Sequence, residues 1–193
     1  NKSHAAAYAL IAYQTAYLKT YHKEDFIAAT MSTELTNTSK LREFVEELKK
    51  LNIEIIKPSI NKCFSDFKAI NGKLFYGLGA IKNVGFEAIS NIVNERENNG
   101  QFKSFLDFIN RVNAKDVNKL QLEGLVKAGV FDEFDTDRNK ILNSIPKIIQ
   151  KIKNINDDKE NHQSNLFSEQ ENGKKSFDFD PAPHWSLKEL LSE

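Results

Sequence analysis

The apolar residues of this chain recur at helical spacing in short runs, and nearly every run is cut by a glycine, an asparagine or a capping residue. Ala88, Ile89, Ile92 and Val93 make one face that stops at Asn98-Asn99-Gly100, and Val117, Leu120, Leu125 and Val126 make another that stops at Gly129. Ser104 and Asp107 form a capping box ahead of Phe105, Leu106, Phe108 and Ile109. Leu41, Phe44, Val45, Leu48 and Leu51 line one side of an amphipathic helix over 39–51, while Arg42, Glu46, Glu47, Lys49 and Lys50 face water. Ile141, Leu142, Ile145, Ile148, Ile149 and Ile152 form a last stripe, which Pro146 is expected to kink or restart. A chain punctuated in this way is confined to short packed helices.

One stretch departs from the helical period. Ile53-Glu54-Ile55-Ile56 alternates, is β-branched and ends at Pro58, as a strand does. Phe67-Lys68-Ala69-Ile70 and Lys73-Leu74-Phe75-Tyr76 flank Asn71-Gly72, the pattern of a hairpin across a type I′ turn. The expected fold is therefore mainly α with a small antiparallel β element.

Upstream, SHAAAYALIAYQTAYLK has high helix propensity, and Ala6, Leu10, Tyr13 and Tyr17 leave it almost no wet face. Such a helix is expected to be buried, against parts beyond this chain. A short helix from Glu24 to about Met31 follows, with acidic residues in its first turn. After about Asn156 the chain turns polar, acidic and aperiodic, as a linker does. It starts at Asn1 and stops inside the helical pattern Leu187-Lys188-Glu189-Leu190-Leu191, so both ends are expected to continue in a longer protein. No apolar run approaches the ~20 residues of a membrane span, no signal peptide is visible, and the single Cys63 excludes an internal disulfide. A reducing, cytoplasmic setting is expected.

Charge bears on partners. Lys and Arg number 27 against 27 Asp and Glu, a balance that by itself argues against nucleic acid. The balance is uneven along the chain: residues 68–130 carry nine basic and six acidic side chains, and residues 157–193 carry four and nine.

Within the basic stretch, Ala80-Ile81-Lys82-Asn83-Val84-Gly85-Phe86-Glu87-Ala88-Ile89 resembles a helix-hairpin-helix. In that motif a tight turn and the next helix N-terminus present backbone N–H groups to one phosphate. Gly85 allows close approach, Val84 plugs the core and Lys82 adds charge; such a module grips the DNA backbone without reading bases. Asn83 stands where the motif usually has glycine, and asparagine tolerates a left-handed conformation better than most residues. Leu125-Val126-Lys127-Ala128-Gly129-Val130-Phe131-Asp132 is a looser second copy about 44 residues on. Lys82, Asn83, Val84, Gly85, Lys127 and Gly129 are the candidate DNA contacts. The plainer alternative at both places is a helix C-cap with a lysine nearby.

Gln163-Ser164-Asn165-Leu166-Phe167 sets two large apolar residues side by side in the acidic tail. It resembles the pentapeptide by which bacterial replication and repair proteins hold the sliding clamp, in which Gln163 supplies an amide and Leu166 and Phe167 enter an apolar pocket. The alternative is a hydrophobic contact that folds back on this domain. His4, His22, His162 and His184 share no metal-ligand spacing with one another or with Cys63, so no metal site is expected. Gly77-Leu78-Gly79 lacks the rest of a phosphate loop.

The opening NKSHAAAYALIAYQTAYLK closely resembles the catalytic alpha subunit of bacterial DNA polymerase III, a family C polymerase. Ile53-Glu54-Ile55, Pro58-Ser59-Ile60-Asn61, Phe75-Tyr76-Gly77-Leu78-Gly79-Ala80-Ile81-Lys82, Phe102-Lys103-Ser104-Phe105-Leu106-Asp107-Phe108 and the Leu125–Asp132 block follow in the family's order. Asn83 and the pair His22-Lys23, where the family often has Tyr-Pro, depart from it.

The resemblance implies that residues 1–60 end the fingers domain, with Asn1, Lys2 and His4 near the incoming nucleotide or primer-template. It implies a small β hairpin and a tandem helix-hairpin-helix domain over 61–134, a helical end over 135–156, an acidic linker carrying the clamp peptide over 157–184, and the start of another domain over 185–193. It further implies a DNA-directed DNA polymerase whose Mg2+-holding palm carboxylates lie elsewhere, so that this stretch alone is catalytically silent and itself needs no cofactor. Duplex DNA, the sliding clamp (beta subunit) and other polymerase III holoenzyme subunits are the implied partners, with no membrane. A non-catalytic helix-hairpin-helix repair scaffold and a protein-interaction module are the alternatives.

Overall fold

A computed structural model of the chain describes residues 2–160, 177–183 and Trp185. Helix α1 (Lys2–Tyr21) leads into α2 (Lys23–Thr33) and α3 (Thr38–Lys50). Strands β1 (Glu54–Ile56), β2 (Lys68–Ile70) and β3 (Lys73–Phe75) follow, and then a 3-10 turn over Leu78–Ala80. The rest is helical: α4 (Phe86–Asn99), α5 (Phe105–Arg111), a second 3-10 turn over Ala114–Asp116, α6 (Lys119–Lys127), α7 (Arg138–Asn143) and α8 (Ile145–Glu160). The fold is mainly α, as the apolar spacing implies. Among the described residues no helix is long and apolar enough to cross a membrane.

Local signals place most boundaries. The Asn37 side chain caps α3, Asn118 caps α6 and Asp137 caps α7, each accepting from the backbone N–H three residues on. Ser104 accepts from Asp107 N–H at 3.1 Å, and the Asp107 carboxylate reaches back to Lys103 N–H at 2.9 Å. Gly100 ends α4 with φ 82°. Pro146 restarts the helix: Ser144 closes α7, and proline stands in the first turn of α8, where its missing N–H costs no bond.

The sheet corrects one expectation. Asn71 (φ 52°) and Gly72 (φ 73°) make the left-handed pair that the hairpin needs, and Ala69 lies opposite Leu74 in the antiparallel β2–β3 register. β1, however, runs parallel to β3, with Ile55 opposite Leu74, so the sheet is mixed with order β1-β3-β2. The chain between β1 and β2 loops away through residues 57–67 before the hairpin forms. β1 therefore takes the open edge of β3 in the same direction.

Two apolar cores result. Ile27, Ala28, Met31, Leu41, Leu48, Phe67 and Leu74 join α2 and α3 to one face of the sheet. The larger core gathers the helices from α4 to α8 around Phe102, Phe105, Phe108 and Phe131, whose rings meet edge-on at 5.0–5.3 Å. Helix α1 joins neither: none of its described residues is buried, and Tyr8, Leu10, Ile11, Tyr13, Tyr17, Leu18 and Tyr21 are exposed. Its all-round apolar surface finds no cover within the described chain.

The stretch read as a linker is partly structured. α8 continues to Glu160, and Phe177 (7% exposed) returns to the larger core with Phe179 at its edge. Asp180 N–H donates to Ser144 Oγ at 2.7 Å, Lys147 Nζ donates to the Asp178 carbonyl at 2.7 Å, and Asn139 donates to the Pro183 carbonyl at 2.7 Å. Residues 177–183 thus strap α7 to α8.

Candidate nucleic-acid interface

The first hairpin begins with two glycines set by space. A Cβ on Gly77 would stand 2.7 Å from Phe67 N, and one on Gly79 would stand 2.9 Å from the Ser65 carbonyl oxygen. Gly77-Leu78-Gly79 is thereby a packing device between the sheet and the hairpin. Beyond it, Val84 N–H closes onto the Ile81 carbonyl at 3.1 Å, and Asn83 takes the left-handed conformation at φ 67°. Gly85 is extended (φ −73°, ψ 129°), so the conformational demand of this turn falls on Asn83. Val84 is buried, whereas Lys82, Asn83 and Gly85 are exposed.

Gly85 is the N-cap of α4 and has no side chain with which to cap it. The first bond back to it comes from Ile89 N–H at 3.0 Å, so the N–H groups of Phe86, Glu87 and Ala88 precede the helical ladder. Together with the exposed ammonium of Lys82, these N–H groups suit one phosphate. Glu87, in the same turn, opposes it.

The second motif is built differently. Gly129 (φ 76°) N–H donates to Val126 O at 2.9 Å and Val130 N–H donates to Leu125 O at 3.0 Å, which is a Schellman cap on α6. A Cβ on Gly129 would run into the Arg138 guanidinium and the Asp132 carboxylate. Arg138 forks onto Asp132 at 2.9 and 2.6 Å and donates to the Lys127 carbonyl at 2.9 Å. The Asp132 bond raises the Arg138 pKa further above its ordinary value. The turn's N–H groups are thus satisfied internally, and its accessible charge is on side chains.

The tertiary structure brings the two motifs to one groove of about 490 Å³, lined by Lys82, Asn83, Glu123, Gly124, Lys127 and Tyr76 among others. Lys82, Asn83 and Lys127 therefore share a surface. Gly85 stands at the start of α4, Val84 plugs the interior behind it, and Gly129 is buried under Arg138. Lys2 and His4 are exposed on α1, with the His4 ring 4.7 Å from that of Tyr8. Asn1, Gln163, Leu166 and Phe167 lie outside the described residues. Among the described residues no three His, Cys, Asp or Glu side chains are placed to hold a metal ion.

Sequence reasoning missed Arg96, which is 6% exposed and donates to the Ile60 and Cys63 carbonyls at 2.9 and 2.5 Å. Its position beside Ile92 and Val93 on the buried face of α4 was the available signal: arginine seldom enters a core without a partner. Burial lowers its pKa from the usual range. Asn61, which trades bonds with Phe102 N–H and C=O at 2.8 Å each, gave no such signal.

An exposed turn thus leads into the open N-terminus of α4, beside a second turn on the same groove, and the family model described as a helix-hairpin-helix motif matches residues 52–141. The chain is 41% identical over 194 residues to DNA polymerase III subunit alpha of Borreliella burgdorferi, covering 99% of this chain and 17% of that protein. It is 42% identical over 175 residues to the same subunit of Campylobacter jejuni (89% and 14%) and 43% identical over 150 residues to that of Thermus aquaticus (78% and 12%). By these matches the chain is a homologue of one segment of the DNA polymerase III alpha subunit. It spans between 12% and 17% of the length of those relatives.

Proposed function

We propose that this chain serves a DNA-directed DNA polymerase as the segment that holds duplex DNA by its backbone and tethers the enzyme to the sliding clamp. The observation that carries the duplex reading is the Lys82–Gly85 turn, which opens onto the uncapped N-terminus of α4. Phosphate contact at this turn positions the duplex without reading sequence. Lys127, across the groove from Lys82, adds charge to the same surface. Gln163, Leu166 and Phe167 supply the clamp peptide. Joining two modest contacts on one chain raises avidity by roughly 10²–10⁴ where geometry permits.

In the same reading Asn1, Lys2 and His4 lie toward the nucleotide or primer-template, and residues 1–60 end the fingers. Mg2+ and its palm carboxylates are supplied elsewhere, so this segment binds without catalysing, alongside other holoenzyme subunits in the cytoplasm. Support comes from the homologues, which are alpha subunits, and from the helix-hairpin-helix match.

The test is duplex binding by the 193-residue chain across a salt series. A sequence-independent affinity whose logarithm falls with log salt is expected. Lys82→Gln with Gly85→Val is expected to weaken binding about tenfold and to lower the slope by about one. A salt-insensitive affinity, or one unmoved by the double substitution, overturns the reading.

A further inference from the structure

The segment Pro58–Cys63 lies between the last turn of α4 and the Gly129 turn and bonds to both. Ile60 N–H donates to the carbonyl of Val130, the residue after Gly129, at 3.0 Å. The Ile60 carbonyl accepts from Arg96 Nη1 of α4 at 2.9 Å, and the same nitrogen donates to Cys63 O at 2.5 Å. Asn61 adds its paired bonds to Phe102, just beyond the end of α4.

The Arg96 guanidinium also lies 5.2 Å from the Phe64 ring centroid and 3.6 Å from Glu97 Oε1. Burying a guanidinium is costly before its bonds are counted, and an apolar side chain of similar length often packs as well. An arginine adds what an apolar residue lacks: a rigid fork that fixes backbone carbonyls in place. Ile60, at 0% exposure, holds the same loop from its apolar side.

We infer that Arg96 is a positioning residue, which holds the last turn of α4 against the Gly129 turn through the backbone of Ile60. Arg96 touches no nucleic acid. It locks α4, from its last turn, and the Gly129 turn as one rigid body, so that the N-terminus of α4 and Lys127 meet a single duplex in register. The duplex part of the inference rests on the function proposed above; the rigidity part does not.

The test uses the 193-residue chain with spin labels at Asn94→Cys on α4 and Lys119→Cys on α6, both exposed in the native protein. Inter-label distances and the salt slope of duplex binding are measured with Arg96 intact and as Arg96→Met. The expected result is a narrow distance distribution that broadens in Arg96→Met, with the slope falling by about one as one phosphate contact is lost. Arg96→Lys, which keeps the charge without the fork, is expected to fall between the two, and it carries the test if Arg96→Met does not fold. A folded variant that keeps the narrow distribution or the full slope overturns the inference. An intact chain that fails to bind duplex overturns the proposed function instead, and the label distances still decide the rigidity.

Discussion

The carbonyl oxygen of Lys82 lies over Gly124, 2.5 Å from where a Cβ on that residue would stand. This approach lets the first hairpin turn rest on α6, and it is why Lys82 and Lys127 face one groove. Gly124→Ala is expected to push the turn away and to cost about 1–3 kcal/mol, the usual range for overpacking. Urea unfolding checks it, and an unchanged midpoint would remove the close approach.

Asn83 separates turn geometry from helix capping. Its φ of 67° costs a β-branched residue roughly 1–2 kcal/mol. Asn83→Val is expected to lose about that much stability, whereas Asn83→Gly stays within about 1 kcal/mol, because relief of strain is offset by a freer unfolded chain. Paired denaturation curves compare them, and equal stabilities for the two variants would contradict a left-handed Asn83.

The strap makes residues 177–183 part of the domain. Enclosing Phe177 is worth about 1.5–3 kcal/mol, so a chain ending at residue 160 is expected to melt roughly 3–12 °C below one ending at residue 185. Calorimetry on the two lengths decides. Equal melting points would return the segment to a linker.

Cys63 is buried, and that burial pushes its thiol pKa up. With the thiolate disfavoured and access closed, Ellman's reagent at pH 8 is expected to leave the native chain untouched and to titrate one thiol in denaturant. Rapid native reaction would mean that the Pro58–Cys63 segment opens readily.

For the tail, Leu166→Ala with Phe167→Ala is expected to abolish capture by the sliding clamp while duplex affinity stays within about twofold. A pull-down and a duplex titration on the same preparation test both halves. Undiminished clamp capture would retire the pentapeptide.

Residue by residue, what could be read along the chain was local. Ser104 with Asp107, Gly100, Asn71-Gly72 and Pro146 act within a turn of themselves, so their effects are written in adjacent residues. The Lys82–Gly85 turn was legible for the same reason, including the left-handed Asn83. Gly129 was legible only as a turn, since its cover, Arg138, comes from the next helix.

Long-range choices belonged to the tertiary structure. Strand alternation is the same for either partner direction, so the sequence marked β1 as a strand and packing set it parallel to β3. The aperiodic acidic tail hid Phe177 because its core partners stand on distant helices. The apolar surface of α1 was evident at once, yet within the described chain nothing covers it. By itself the sequence determined short helices, a hairpin and a basic turn. Only folding brought Lys82 and Lys127 to one groove and tied the last turn of α4 and the Gly129 turn to Ile60, because those contacts join residues tens of positions apart, where no local pattern reaches.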